Sequence, residues 1–230
     1  MRLTRYLPAL CLMTPLVAQA QITPSSSAIN LAGFNLLETP QGHAVLEPST
    51  QGRGGTIASP AGVTLGMDAV RSSNYHTVRP AIALQETQRF RPQDGVTVYD
   101  AALHLDRLPR RGHTVIAEIT ADDQPRLELA VEGDTVIVTD AIPGAAPFRA
   151  VGGTISPSRN VAYRIAILPN GGVGITVNGI KGVYALPVQE ALSFRTGLMV
   201  SDDIGHRPDI AQVTFMRLTN THRPTIGGTI

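Results

Sequence analysis

The chain has 230 residues, 43% hydrophobic and 16% charged, with a formal net charge of +1. This length is enough to bury one large core. The sequence has no run of basic residues, so nothing in its charge pattern indicates binding to nucleic acid or to an anionic membrane. A single cysteine cannot form a disulfide within the chain.

The first twenty residues have the three parts of a secretory signal peptide. Arg2 and Arg5 form a basic start, Tyr6–Val17 is apolar, and Ala18-Gln19-Ala20 is a small-x-small cleavage pattern. The apolar stretch is shorter than the roughly 20 residues that a membrane-spanning helix needs. We therefore expect cleavage after Ala20, a secreted or periplasmic protein, and no stable membrane insertion.

After a predicted exposed lead-in at 21–28, short apolar runs alternate with turn residues, without a long stretch of helical period. Strands recur roughly every 8 to 12 residues, a spacing typical of a sandwich or barrel. The sequence therefore predicts an all-β fold, a two-sheet antiparallel β-sandwich or jelly roll, over residues 29–222, with a flexible tail at 223–230. The clearest predicted strands are His113–Ile119, Arg126–Val131, Thr135–Thr139, Ala162–Leu168, Val173–Val177, Ile180–Ala185, Phe194–Val200 and Gln212–Leu218.

Strict alternation assigns faces within the predicted strands. In the first of them, His113, Val115, Ala117 and Ile119 are predicted to share one face, opposite Thr114, Ile116, Glu118 and Thr120. In the second, the residues predicted to point inward are Leu127, Leu129 and Val131. The one helix-like segment, Pro187–Leu192, is predicted to form a single turn at most.

The residue types give no metal or cofactor motif. The six histidines lack metal-ligand spacing, and no nucleophile elbow or phosphate-binding glycine loop is present. Asp122-Asp123 and Asp202-Asp203 each follow a predicted strand, so they are predicted to be structural turns. Polar side chains within predicted strands fit either a solvent face or a carbohydrate cleft; they are Glu118, Arg126, Glu128 and Arg195.

Several segments, in order, resemble alginate lyases of polysaccharide lyase family 7. Asn74–Leu84 falls where that family has Arg-Ser/Thr-Glu-Leu-Arg, and Val115–Thr120 falls where it has Gln-Ile/Val-His. Phe194–Ser201 is similar to Phe-Lys-Ala-Gly-x-Tyr-x-Gln. The resemblance covers roughly residues 29 to 222, and its other segments are Ile29–Leu36, Leu105–Pro109, Asp122–Pro125, Tyr163–Asn178 and Ala211–Phe215.

The resemblance implies a jelly roll that removes the C5 proton of a uronate and expels the C4 oxygen. Arg and Gln side chains would neutralise the uronate carboxylate, while His and Tyr would transfer protons. Arg79 matches the neutralising arginine and Arg195 replaces the lysine. The other matching positions are substituted: Ala81 and Ala83 for Glu and Arg, Glu118 for Gln, Thr120 for His, and Met199 for Tyr.

Two groups of candidate site residues follow. The candidate catalytic residues are Arg79 and Glu118, with Tyr75 and His76 as displaced proton-transfer groups. The candidate substrate-binding residues are Arg195, Arg126, Glu128, Tyr184 and His206.

Three hypotheses remain open at this point: a polysaccharide lyase with a rearranged site, a non-catalytic polysaccharide-binding or matrix protein, and a glycoside hydrolase. The last requires two carboxylates about 5 to 10 Å apart across one cleft, for which Glu118 and Glu128 are the candidates. The expected partner is an acidic polysaccharide, without a cofactor, a metal or a nucleic acid. The protein is expected to be a monomer.

Overall fold

A computed structural model describes residues 29–38, 62–70, 81–109, 113–140, 148–155, 157–200 and 209–225. Within these ranges the chain forms thirteen β-strands, one 3₁₀ turn (Pro92–Asp94) and no α-helix. The predicted signal peptide and lead-in lie outside the described residues. The strands are β1 (Phe34–Glu38), β2 (Val63–Val70), β3 (Ala81–Glu86), β4 (Gly95–Arg107), β5 (Thr114–Ala121), β6 (Gln124–Glu132), β7 (Thr135–Asp140), β8 (Phe148–Thr154), β9 (Asn160–Ile167), β10 (Gly172–Val177), β11 (Ile180–Ala185), β12 (Leu192–Val200) and β13 (Asp209–Pro224).

The strands form two antiparallel sheets that pack face to face. One has seven strands in the order β1-β3-β12-β5-β6-β7-β8, and the other has six in the order β11-β10-β9-β4-β13-β2. This confirms the predicted two-sheet β-sandwich. No helix in the described ranges is long and apolar enough to cross a membrane.

The core lies between the two sheets and is filled by alternate residues of each strand. In β4, for example, every second residue from Gly95 to Leu105 is buried, as expected for a sheet with one solvated face. The Tyr99 ring of β4 stacks on Phe194 of β12, with ring centroids 3.9 Å apart. Across the same interface, the Tyr163 hydroxyl lies 2.6 Å from Thr196 Oγ1.

A buried polar cluster joins the two sheets where β3 ends. The Glu86 carboxylate accepts hydrogen bonds from the Tyr99 hydroxyl (2.6 Å) and from Asn220 Nδ2 (2.7 Å), and it pairs with His222 Nε2 (2.6 Å). The side chain of Glu86 is 1% exposed. Burying a carboxylate this deeply is tolerated because three partners replace its water shell.

The predicted faces of β5 need correction because the strand contains a bulge. The register with β6 shifts between Val115 and Ala117, so one extra residue is inserted there. As a result, Ile116 and Ala117 both join the main core, while Val115 lies in a separate apolar cluster. The predicted alternation holds again from Glu118 onward.

Two predicted boundaries also change. Pro187–Leu192 contains a turn and no helix, within the single turn predicted at most, but it ends earlier because Leu192 begins β12 and exchanges two backbone hydrogen bonds with Phe90 (2.7 and 2.9 Å). Strand β13 continues to Pro224, past the predicted domain end at residue 222, because it pairs with β4 as far as Gly95.

Candidate functional site

A row of polar side chains crosses the seven-stranded sheet on the face turned away from the six-stranded sheet, here called the outer face. Gln85 of β3 is opposite Arg195 of β12, Arg195 is opposite Glu118 of β5, and Glu118 is opposite Glu128 of β6. Side chains directly opposite each other on antiparallel strands have Cβ atoms about 4.5–5.5 Å apart. These four residues, called the polar row, therefore form one continuous line across four strands.

Strand alternation explains why the polar row faces outward. Leu84, Phe194, Ile119 and Leu129 each adjoin one of its members along the chain, and all four lie in the main core. Their neighbours therefore point to the opposite face. The sequence prediction that Arg195, Glu118 and Glu128 are polar positions within strands agrees with this placement.

Arg195 is held between two carboxylates. Its Nη1 lies 3.2 Å from Glu118 Oε1, and its Nη2 donates a hydrogen bond to Asp123 Oδ1. The side chains of Arg195 and Glu118 are only 14% and 6% exposed, whereas Asp123 is 75% exposed. Arg195 is thus neutralised from beneath by a buried acid and from the solvent side by an exposed acid.

The tight turn between β5 and β6 directs Asp123 toward Arg195. Asp122 and Asp123 both adopt positive φ angles, 48° and 60°, a conformation that Asp tolerates better than most residues. Asp122 also forms an ion pair, at 3.2 Å, with Arg89. The predicted structural turn at Asp122-Asp123 is therefore confirmed, and it carries two ion pairs.

Arg126 of β6 is also paired within the protein. Its Nε lies 2.7 Å from Glu190 Oε2, and its Nη2 lies 3.5 Å from Glu190 Oε1. This contact links β6 to the turn that precedes β12. Arg126, predicted to bind substrate, therefore has its guanidinium occupied by a neighbouring carboxylate.

The positions that match the family's His and Tyr carry no proton-transfer group. Thr120 is 1% exposed and lies between the core residues Ile119 and Ala121, so its side chain is on the outer face. Met199 is 3% exposed and belongs to a small apolar cluster with Ala81, Ala83, Val115 and Ala130. A threonine and a thioether do not serve as the base and acid of an elimination.

The structure separates the remaining predicted site residues. Tyr184 lies on β11, the edge strand of the six-stranded sheet, and so not on the sheet that carries the polar row. Burial, with a smaller contribution from Asp140, raises the pKa of Tyr184 above its usual value. The other four predicted residues, Arg79, Tyr75, His76 and His206, lie outside the described residues, as do Asp202-Asp203.

Two polar atoms next to the polar row were not foreseen from the sequence. Ser193 Oγ and Arg195 Nε are buried and, within the described part of the chain, have no hydrogen-bond partner. Ser193 lies two residues before Arg195 on β12, and alternation with Leu192 and Phe194 places it on the same face. The alternation of apolar and polar residues in Leu-Ser-Phe-Arg was the sequence signal that could have placed Ser193 on the face of Arg195.

The described residues contain no group of three or more His, Cys, Asp or Glu side chains that could hold a metal ion. Glu118 and Glu128, the two carboxylates that the glycoside-hydrolase hypothesis names, are direct cross-strand partners. One oxygen of Glu118, however, already accepts a hydrogen bond from Arg195.

Comparisons with solved structures show the fold of alginate lyases. An alginate lyase from Pseudomonas aeruginosa is 18% identical, with a TM-score of 0.67, and the match covers 85% of this chain and 100% of that protein. An alginate lyase from Alteromonas sp. 272 is 14% identical, with a TM-score of 0.62, and the match covers 86% of this chain and 100% of that protein. A further member of polysaccharide lyase family 7 matches 71% of this chain and 81% of its own, at 14% identity and a TM-score of 0.61. No protein-family model and no curated protein sequence gives a match.

Proposed function

We propose that the chain is an exported polysaccharide-binding protein that uses an alginate-lyase fold without the lyase's proton-transfer pair. The observation that carries the proposal is the outer face itself. Thr120 and Met199 occupy, buried, the two positions where the resemblance expects His and Tyr.

The electrostatics of the outer face also disfavour elimination at these positions. Removal of the C5 proton requires groups that neutralise the adjacent carboxylate in the transition state. Arg195, the guanidinium of the polar row, is already paired with Glu118 and Asp123. A negative Glu118, where the family has a neutral amide, adds charge of the same sign as the substrate's carboxylate.

The fold and the residue types of the polar row support glycan binding. The solved structures with this fold are named as alginate lyases, including one in complex with product and one in complex with substrate. In this chain the polar row supplies amide, guanidinium and carboxylate groups, which hydrogen-bond sugar hydroxyls well. The predicted signal peptide supports export.

The test combines a binding assay with a lyase assay. The protein is expected to be recovered outside the cytoplasm with Gln21 at its N-terminus. This mature protein is expected to migrate more slowly in gels that contain polysaccharide than in gels without it. It is also expected to produce no ultraviolet-absorbing unsaturated product from any polyuronate. A rise in that absorbance that Arg79→Ala abolishes would establish a lyase with displaced catalytic residues and overturn the proposal.

A glycoside hydrolase is the second candidate, because Glu118 and Glu128 are direct cross-strand partners. Retaining glycoside hydrolases hold their two carboxyl groups about 5–5.5 Å apart, a separation that side chains on directly opposed residues can reach. The same polymers are therefore assayed for new reducing ends. Reducing ends that disappear in both Glu118→Gln and Glu128→Gln would favour this candidate over binding alone.

A further inference from the structure

We propose that Asp123 determines the sugar specificity of the outer face by holding the place on Arg195 that a uronate carboxylate would take. The wild-type face is then selective for uncharged glycans over polyuronates. The inference rests on the proposed polysaccharide binding and narrows its ligand class. It departs from the sequence expectation of an acidic polysaccharide.

The geometry at Arg195 is the first support. A guanidinium group is planar and holds its N–H donors in a fixed, forked arrangement, which lets it bind a carboxylate strongly. Glu118 engages one end of this fork and Asp123 engages the other. Because Asp123 is 75% exposed and Glu118 only 6%, Asp123 occupies the side from which a polymer would approach.

The local charge is the second support. The charged groups of the polar row, of the Asp122-Asp123 turn and of the ion pairs made by Arg89 and Arg126 are five carboxylates and three guanidinium groups, a formal charge of −2. All three guanidinium groups are already paired with carboxylates. The negative charge repels a polyuronate, which is also negatively charged, but does not repel an uncharged glycan. The groups counted are Asp122, Asp123, Glu118, Glu128, Glu190, Arg89, Arg126 and Arg195.

The unpartnered atoms beside Arg195 are the third support. Buried polar atoms in native proteins are almost always satisfied, by protein, water or ligand. Ser193 Oγ both donates and accepts, and Arg195 Nε donates. A hydroxyl group can accept from Arg195 Nε and can exchange a hydrogen bond with Ser193 Oγ, so a glycan offers the kind of partner that each atom lacks.

The experiment compares two adjacent single-charge variants, Asp123→Asn and Asp122→Asn. Both remove one negative charge from the same turn, and Asn tolerates positive φ as Asp does. They differ in partner, since Asp123 pairs with Arg195 and Asp122 with Arg89. Affinities are measured for hydroxyethylcellulose, laminarin and galactomannan, and for polymannuronate, polyguluronate and polygalacturonate.

We expect the wild-type protein to bind a neutral polymer more tightly than any polyuronate. Asp123→Asn should gain about three- to tenfold in polyuronate affinity, because one charge-assisted hydrogen bond becomes available on a partly exposed arginine. Asp122→Asn should leave the polyuronate affinity within about twofold of wild type. Asp123→Asn combined with Arg195→Met should lose the gain.

Several results would overturn the inference. An equal gain in both asparagine variants would show a general charge effect rather than competition at Arg195. A wild-type preference for polyuronates, or no gain in Asp123→Asn, would also exclude it while leaving polysaccharide binding intact. If no variant binds any polymer, the proposed function fails together with the inference.

Discussion

At the scale of single residues, the identity of residue 118 sets the charge at the centre of the outer face. Glu118 replaces the glutamine that the resemblance expects, and its carboxylate lies 3.2 Å from Arg195 Nη1. The two side chains are nearly the same shape. A glutamate at residue 118 gives Arg195 a buried ionic partner, whereas a glutamine would not.

We therefore expect Glu118→Gln to lower the free energy of unfolding by about 1–2 kcal/mol, because a buried guanidinium loses one of its two ionic partners. Chemical denaturation measures the change. Glu128→Gln, the same substitution at the half-buried cross-strand neighbour, is the control and should change stability less. Equal or greater stability for Glu118→Gln would show that desolvation cancels the attraction between Glu118 and Arg195.

Some of the candidate site was predictable at this scale. Alternation indicated that Glu118 and Arg195 are polar positions within strands, and the observed register shows that they are cross-strand partners. The pairing of Asp123 with Arg195 was not predictable. The direction of the Asp123 side chain depends on positive φ in the turn, and its partner is 72 residues away in sequence.

At the scale of elements, the contact between β3 and β12 depends on a glycine. Gly197 has φ of 152°, and a Cβ built there would lie 2.4 Å from the Ile82 carbonyl oxygen and 2.7 Å from Ala83 Cα. It also lies where the register of β12 with β5 shifts, between Thr196 and Met199. A side chain at residue 197 would force β3 and β12 apart.

Gly197→Ala is expected to lower the free energy of unfolding by about 2–4 kcal/mol, through backbone strain and the displaced strand. Thermal and chemical denaturation measure the loss. The matched control is Gly174→Ala on β10, where a Cβ would meet no atom within 4 Å. This control should change stability by no more than about 1 kcal/mol. If the two variants were equally stable, β3 and β12 would be able to move apart without a loss of stability, and the close approach at Gly197 would not be required.

The strands themselves follow from local pattern, while their irregularities do not. All eight strands predicted from alternation coincide with observed strands. The bulge in β5 was missed because it belongs to the pairing with β6 and leaves no mark on the alternation of β5 itself. The order of the strands within each sheet is likewise set by contacts distant in sequence.

At the scale of the whole molecule, buried tyrosines link the two sheets. Tyr99 of β4 donates to Glu86 of β3, and Tyr163 of β9 hydrogen-bonds Thr196 of β12. Thr196 Oγ1 also donates to the Ile116 carbonyl oxygen at 2.8 Å. Because both tyrosine hydroxyls are shared between sheets, their protonation is coupled to the integrity of the sandwich.

The pH dependence of stability follows from these tyrosines. Burial, followed by the nearby Glu86 charge, raises the pKa of Tyr99 well above its ordinary value, and burial raises the pKa of Tyr163. Below a pH of about 10 both tyrosines are neutral in the folded and the unfolded chain, so stability does not depend on them. Above that pH only the unfolded chain releases the protons, and the free energy of unfolding falls as the pH rises.

We expect denaturation midpoints measured across the alkaline range to decline above a pH of about 10. Tyr163→Phe should be less stable near neutrality by about 1 kcal/mol, because it loses one hydrogen bond, yet its alkaline decline should be shallower. Thr196 keeps its bond to Ile116 in this variant, so the comparison isolates the phenol. The comparison variant is Tyr184→Phe on the edge strand β11: its ring is only half-buried, so removing its phenol, whose pKa burial also raises, should make the alkaline decline shallower by less. An alkaline decline of unchanged steepness in Tyr163→Phe would show that ionisation of Tyr163 does not drive the loss of stability.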